Sequence, residues 1–215
     1  MEYLKRKEVF GNKNGISRYL LNQLAAIYEM SNEDGALIPF SIAQRIAEIT
    51  GKIKREVAVY FNRQGQVILV ALGDNKNVSL PDLGKRRGEH RLSGVRCVHT
   101  HPSGNGYLSD MDLSALQQLQ LDVMVALGVD DEGKIRNMGV AWGNGNGGFS
   151  PVSLYSHWES FAAIDFAQEI KTIEKGQKEQ IGYETVARQE KALLVAVQLD
   201  TEDEVAHSYS IDELM

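Results

Sequence analysis

His99-Thr100-His101-Pro102-Ser103-Gly104-Asn105-Gly106-Tyr107-Leu108-Ser109-Asp110-Met111-Asp112 is the stretch on which the reading of this chain turns. Up to His101 the pattern is that of a strand, begun near Gly94, in which residues two apart share a face. His99 and His101 therefore project their imidazoles together at the strand's end. Pro102 has no N–H and stops the ladder, and the two glycines let the chain turn back. Ser109 and Asp112, three apart, then form a capping box, with Leu108 and Leu113 placed as its hydrophobic staple. A helix from about Asp110 to Leu121 follows. Helix initiation alone accounts for Ser109 and Asp112, yet a first-turn carboxylate is also free to be a metal ligand.

On either side the periodicity predicts a mixed α/β fold. Glu56–Asn62 and Gln66–Leu72 are rich in Val, Ile and Tyr and joined through Arg63-Gln64-Gly65, which reads as a hairpin. Asp122–Val129 and Lys134–Trp142 read as two more strands. Upstream, Ile16–Glu29 places Leu20, Leu24 and Ile27 on one helical stripe. A second helix carries Ile42, Ile46 and Ile49, with Ser41 and Gln44 as its capping box and Gly51 as its end. Downstream, the Gly-Asn-Gly-Asn-Gly-Gly run at 143–148 reads as a flexible connection, and Ser156–Gly176 as one helix. The expected organisation is an N-terminal helical segment (1–53), a mixed-sheet domain (54–150), a helical linker (151–190) and, from 191, the start of a following domain. That last part, an apolar strand and half a helix, makes no core of its own, so the chain is expected to be a fragment of a longer polypeptide.

Composition narrows the function classes. A 215-residue chain of net charge −6 argues against a dedicated nucleic-acid surface. The basic loop Lys85-Arg86-Arg87, with His90, Arg91 and Arg96, is read as a solvated loop or as a contact for an anionic partner. One cysteine, Cys97, excludes an internal disulfide and a thiolate cage, and is expected to be a small core residue. No apolar run is long enough to cross a bilayer and the first ten residues are charged, so a cytoplasmic location without membrane contact is expected. His157 and His207 have no partner at ligand spacing.

His99, His101 and Asp112 make a His/His/carboxylate set, which leaves a fourth tetrahedral position for water, as in catalytic zinc sites. Glu56 is the candidate proton carrier. His-x-His-Pro, six residues, Ser, two residues, Asp resembles the JAMM/MPN metalloprotease motif at every defining position, with Glu56 where that family carries its acid/base glutamate. His-Thr-His-Pro-Ser-Gly and Arg55-Glu56 look like the RadC-type branch. The resemblance spans roughly residues 54–143. It implies a cytidine-deaminase-like JAMM/MPN fold, zinc ligation by His99, His101 and Asp112, acid/base work by Glu56, and Ser109 polarising a substrate carbonyl or stabilising its oxyanion. The implied activity is zinc-dependent hydrolysis of peptide or isopeptide bonds in a peptide or protein substrate. A second resemblance lies in the flanks: Gly11–Ile16, Val78-Ser79-Leu80-Pro81, Arg91–His101 and Lys191–Leu214 look like the N-terminal region of HflX-type GTPases. It implies a non-catalytic binding or regulatory module, with the ribosome as partner of the full-length protein. The chain holds no Gly-x-x-x-x-Gly-Lys-Ser/Thr, so no GTPase phosphate loop is present.

Overall fold

Strict alternation makes each central strand two-faced, and the two faces select different coverings. In the computed structural model, which describes residues 7–31, 35–73 and 92–184, the strands are β1 (Phe10–Gly11), β2 (Val57–Asn62), β3 (Val67–Leu72), β4 (Val95–His101), β5 (Val123–Val129), β6 (Ile135–Trp142) and β7 (Ser153–Tyr155). They form one mixed sheet in the order β1-β3-β2-β4-β5-β6-β7. The β1/β3 and β4/β5 pairs are parallel and the others antiparallel. The helices are α1 (Arg18–Ala25), α2 (Phe40–Ile53), α3 (Asp110–Gln118), α4 (Trp158–Ala162) and α5 (Phe166–Glu184). The α/β class with flanking helices is thus what the periodicity predicts.

One face of the sheet carries Val57, Val59, Phe61, Val98, Val125 and Val140, packed with Leu24, Ile42, Ile46, Phe161 and Phe166 from α1, α2, α4 and α5. The other carries smaller residues, Ala58, Cys97, Ala126 and Ala141, beneath Leu108 and Leu116 of α3 and its approach. Because β4 and β5 are parallel, α3 is their crossover and must lie on one face. β7, α4 and the first part of α5 add to the same sheet and core, within a compact unit that spans Met1–Glu179.

Several local expectations give way to tertiary contacts. The second helix starts one residue before Ser41: Pro39 is its N-cap, and Pro39 O accepts from Ile42 N and Ala43 N, so no Ser41–Gln44 box forms. Nor does Gly51 end it. The helix runs to Ile53 and stops at Lys54, whose φ of 54° closes the turn onto Thr50 O. Gly51 is instead where α2 touches the β5–β6 turn, since a Cβ there would sit 2.6 Å from Gly133 Cα. The predicted helix at 156–176 is two helices, because Asp165 caps a new start, accepting from Gln168 N and Glu169 N. The glycine-rich run at 143–148 is an ordered turn: Gly143 bridges Phe149, and Asn144 Oδ1 accepts from Asn146 N and Gly148 N. Arg96 belongs to no basic patch. It is 1% exposed, with its guanidinium 4.4 Å from the Phe166 ring centre and 5.2 Å from that of Phe61. The rest of the basic loop, Pro81, His207 and the tail from 191 lie outside the described residues. Among the described residues, no helix is long and apolar enough to cross a membrane.

Candidate metal centre

Alternation along β4 sends Cys97, His99 and His101 to the α3 face and Arg96, Val98 and Thr100 to the other. Thr100 is used for anchoring. Its buried Oγ1 lies 2.6 Å from Thr50 Oγ1 and accepts from Val57 N, tying α2 to the ends of β2 and β4 directly behind the histidines.

In front of them the segment after Pro102 lies flat on the sheet, which only a nearly bare surface allows. β5 and β6 present Gly128 and Gly139 there; a Cβ on Gly128 would meet Gly106 N at 2.5 Å, and one on Gly139 would meet Gly106 O at 2.0 Å. This seating brings Asn105 O to 2.9 Å from His101 Nδ1. A carbonyl only accepts, so Nδ1 carries the hydrogen and the Nε2 lone pair is left to face the cluster.

Asp112 arrives from the first turn of α3. Both halves of the predicted capping box form, with Leu108 buried and Leu113 packed beside it. Asp112 Oδ2 accepts from Ser109 N and Ser109 Oγ, each at 2.7 Å. Oδ1 lies 3.2 Å from His99 Nε2, Oδ2 lies 3.4 Å from His101 Nε2, and the two Nε2 atoms are 2.9 Å apart. Burial works against the Asp112 charge, but hydrogen bonds from His101, His99 and Ser109 outweigh it and hold the carboxyl far below the usual range. Burial likewise opposes a charged His101, yet the Asp112 carboxylate and the Asn105 carbonyl raise its pKa, with a smaller push from Glu56.

His99, His101 and Asp112 are thus brought together, one buried and two part-buried, with a ligand atom from each within 4.8 Å of the others. Glu56 stands just before β2. The β2/β4 register pairs Ala58 with His99, so two residues further along the ladder Glu56 comes opposite His101 on the same face. Its side chain packs on Gly73, where an added Cβ would be 2.9 Å from Glu56 Cβ. Ser109 Oγ donates to Asp112 Oδ2 beside the cluster. Cys97, 2% exposed, is the core residue expected, its thiol pushed up to about 12 by burial. His157 stands at the N-cap position of α4, without a side-chain capping hydrogen bond, and is not part of the cluster. A groove of about 460 Å³ between Phe40, Trp158 and Met138 contains none of the cluster residues.

The three residues form a group that could hold a metal ion. Ligands at 2.0–2.1 Å in a tetrahedron stand about 3.3 Å apart, close to the 2.9 and 3.2 Å separations here. With Nδ1 of His101 already donating to Asn105, its Nε2 is left facing His99 Nε2 at 2.9 Å and Asp112 Oδ2 at 3.4 Å. Sequence reasoning missed Thr50, Asn105 and Asn137, which support the ligands; only Asn105, between two glycines, carried any local sign of a special turn. No family model, curated protein or solved structure matches the chain.

Proposed function

We propose that the chain is a zinc-dependent hydrolase of peptide or isopeptide bonds, of the JAMM/MPN type that its His-x-His-Pro…Ser-x-x-Asp string resembles. The observation that carries the reading is the convergence of His99 Nε2, His101 Nε2 and the Asp112 carboxylate, a ligand atom of each lying within 4.8 Å of the others. His99, His101 and Asp112 would hold the zinc ion, which when bound would supply Lewis acidity and lower the pKa of a bound water to about 7. The chain's own residues do the rest. Glu56, across the ladder from His101, takes the proton of the attacking water and returns it to the leaving amine, which otherwise departs as a poor anion. Ser109 first holds Asp112 in its ligating rotamer through the capping box. Release of that hydroxyl frees it for a substrate oxygen.

The test is elemental mass spectrometry of the purified chain beside hydrolysis of fluorogenic peptide and isopeptide substrates. We expect about one zinc per chain, lost in His99→Ala. In Glu56→Gln zinc is retained and turnover falls by at least about 100-fold. Full turnover in Glu56→Gln refutes the assigned base. Absence of zinc after reconstitution refutes the metal reading and favours the binding module of a ribosome-associated GTPase instead.

A further inference from the structure

The peptide unit joining Asn105 to Gly106 is gripped at both ends. Its carbonyl oxygen accepts from His101 Nδ1 at 2.9 Å, and its N–H donates to Asn137 Oδ1 at 2.5 Å. The C=O and N–H of one peptide are coupled by resonance, and hydrogen bonds in series polarise one another. An acceptor on the N–H side therefore enriches the oxygen on the other side. That strengthens the bond to Nδ1–H, orients the ring and makes Nε2 a better donor to a metal.

Asn137 is well placed for this. It is part-buried on β6, on the α3 face, with Gly128 and Gly139 leaving room for the loop beside it. A Cβ on Gly106 would come 2.9 Å from Asn137 Oδ1 and 2.7 Å from Asn137 O, so the loop rests directly on this residue. A backbone N–H only donates, so the amide oxygen of Asn137, not its nitrogen, faces Gly106. Asn105 Oδ1 meanwhile accepts from Tyr107 N, which shapes the loop internally but does not tie it to the sheet.

We infer that Asn137 is a positioning residue for the His101 ligand, acting through the Asn105–Gly106 peptide. The inference rests on the metal reading for its purpose, though the relay itself exists without the ion.

The experiment compares Asn137→Ala and Asn137→Asp with the parent, in two readouts. The first is zinc affinity of the chelator-stripped protein, with zinc alone as probe, by competition with a chromophoric chelator. The second is the His101 tautomer in metal-free protein, from ¹⁵N histidine correlation spectra at a pH where the ring is neutral. Asn137→Ala is expected to bind zinc about 10-fold more weakly and to lose the clean Nδ1–H signature of His101. Asn137→Asp, which keeps the acceptor, should restore both. Parental affinity and tautomer in Asn137→Ala overturn the inference, and so does an equal loss in both variants, which would mark a structural role only. If Asn137→Ala does not fold, Asn137→Ser, too short to reach Gly106 N, takes its place. If the parent binds no zinc, the metal reading falls, and the tautomer spectra alone decide whether Asn137 orients His101.

Discussion

If the His99–His101–Asp112 group holds zinc as proposed, adding one methyl group at Gly139 should weaken that binding without touching any of the three residues. An ideal Cβ there lies 2.0 Å from Gly106 O, roughly 1.3 Å inside the closest common carbon–oxygen contact. Gly139 is locked into β6 between Leu127–Met138 and Val125–Val140 pairs, and faces Leu154 of β7 on its other side. The strand is held from both sides, so the loop must move. A retreat of that size takes the Asn105–Gly106 peptide out of hydrogen-bond range of His101 Nδ1 or of Asn137. The steric part should cost about 1–3 kcal/mol of stability. Loss of the bond that orients His101 should cost 10–100-fold in zinc affinity, or about 1.4–2.7 kcal/mol. Thermal denaturation of the metal-free protein and calorimetric zinc titration measure the two separately. Gly147→Ala is the matched control: it carries a φ of 76° but meets nothing within 4 Å, so it should lose about 1–2 kcal/mol of stability and no zinc affinity. A Gly139→Ala protein that binds zinc as tightly as the parent would refute the claim that this seating orients the ligand.

Two further predictions concern buried polar groups on β4. Arg96 has no hydrogen-bond partner for Nε or Nη1 among the described residues. Arg96→Met should therefore change the unfolding free energy by no more than about 1 kcal/mol, lost cation–π contact offsetting relief of the unpaired donors; a loss above about 3 kcal/mol in chemical denaturation would contradict this account. Cys97, sealed behind the histidines with its thiol pushed up to about 12, should resist a thiol reagent at pH 8 in the folded chain and react promptly in denaturant. Fast labelling of the native protein would mean that the face beneath the cluster is open.

The local sequence determined those features that depend on short-range periodicity and chain direction. Alternation in 94–101 put His99 and His101 on one face, and the Ser109–Asp112 box placed a carboxylate at the start of α3, because strand pleat and helix capping are set by neighbours a few residues away. The Arg63-Gln64-Gly65 hairpin was legible for the same reason, with Gly65 at a φ of 81°. What lay beyond the local pattern was decided by partners distant in the chain. Gly51 looked like a helix stop and is instead a contact with Gly133; Arg96 looked like a surface cation and is roofed by an aromatic ring 70 residues away. The two-residue β1 and three-residue β7 had too few residues for a period and exist because β3 and β6 offered edges. Above all, nothing near residue 137 announces a role at His101. Only the packing of β6 beside β5, with glycines where side chains would have kept the loop away, sets Asn137 against the peptide that aims the imidazole.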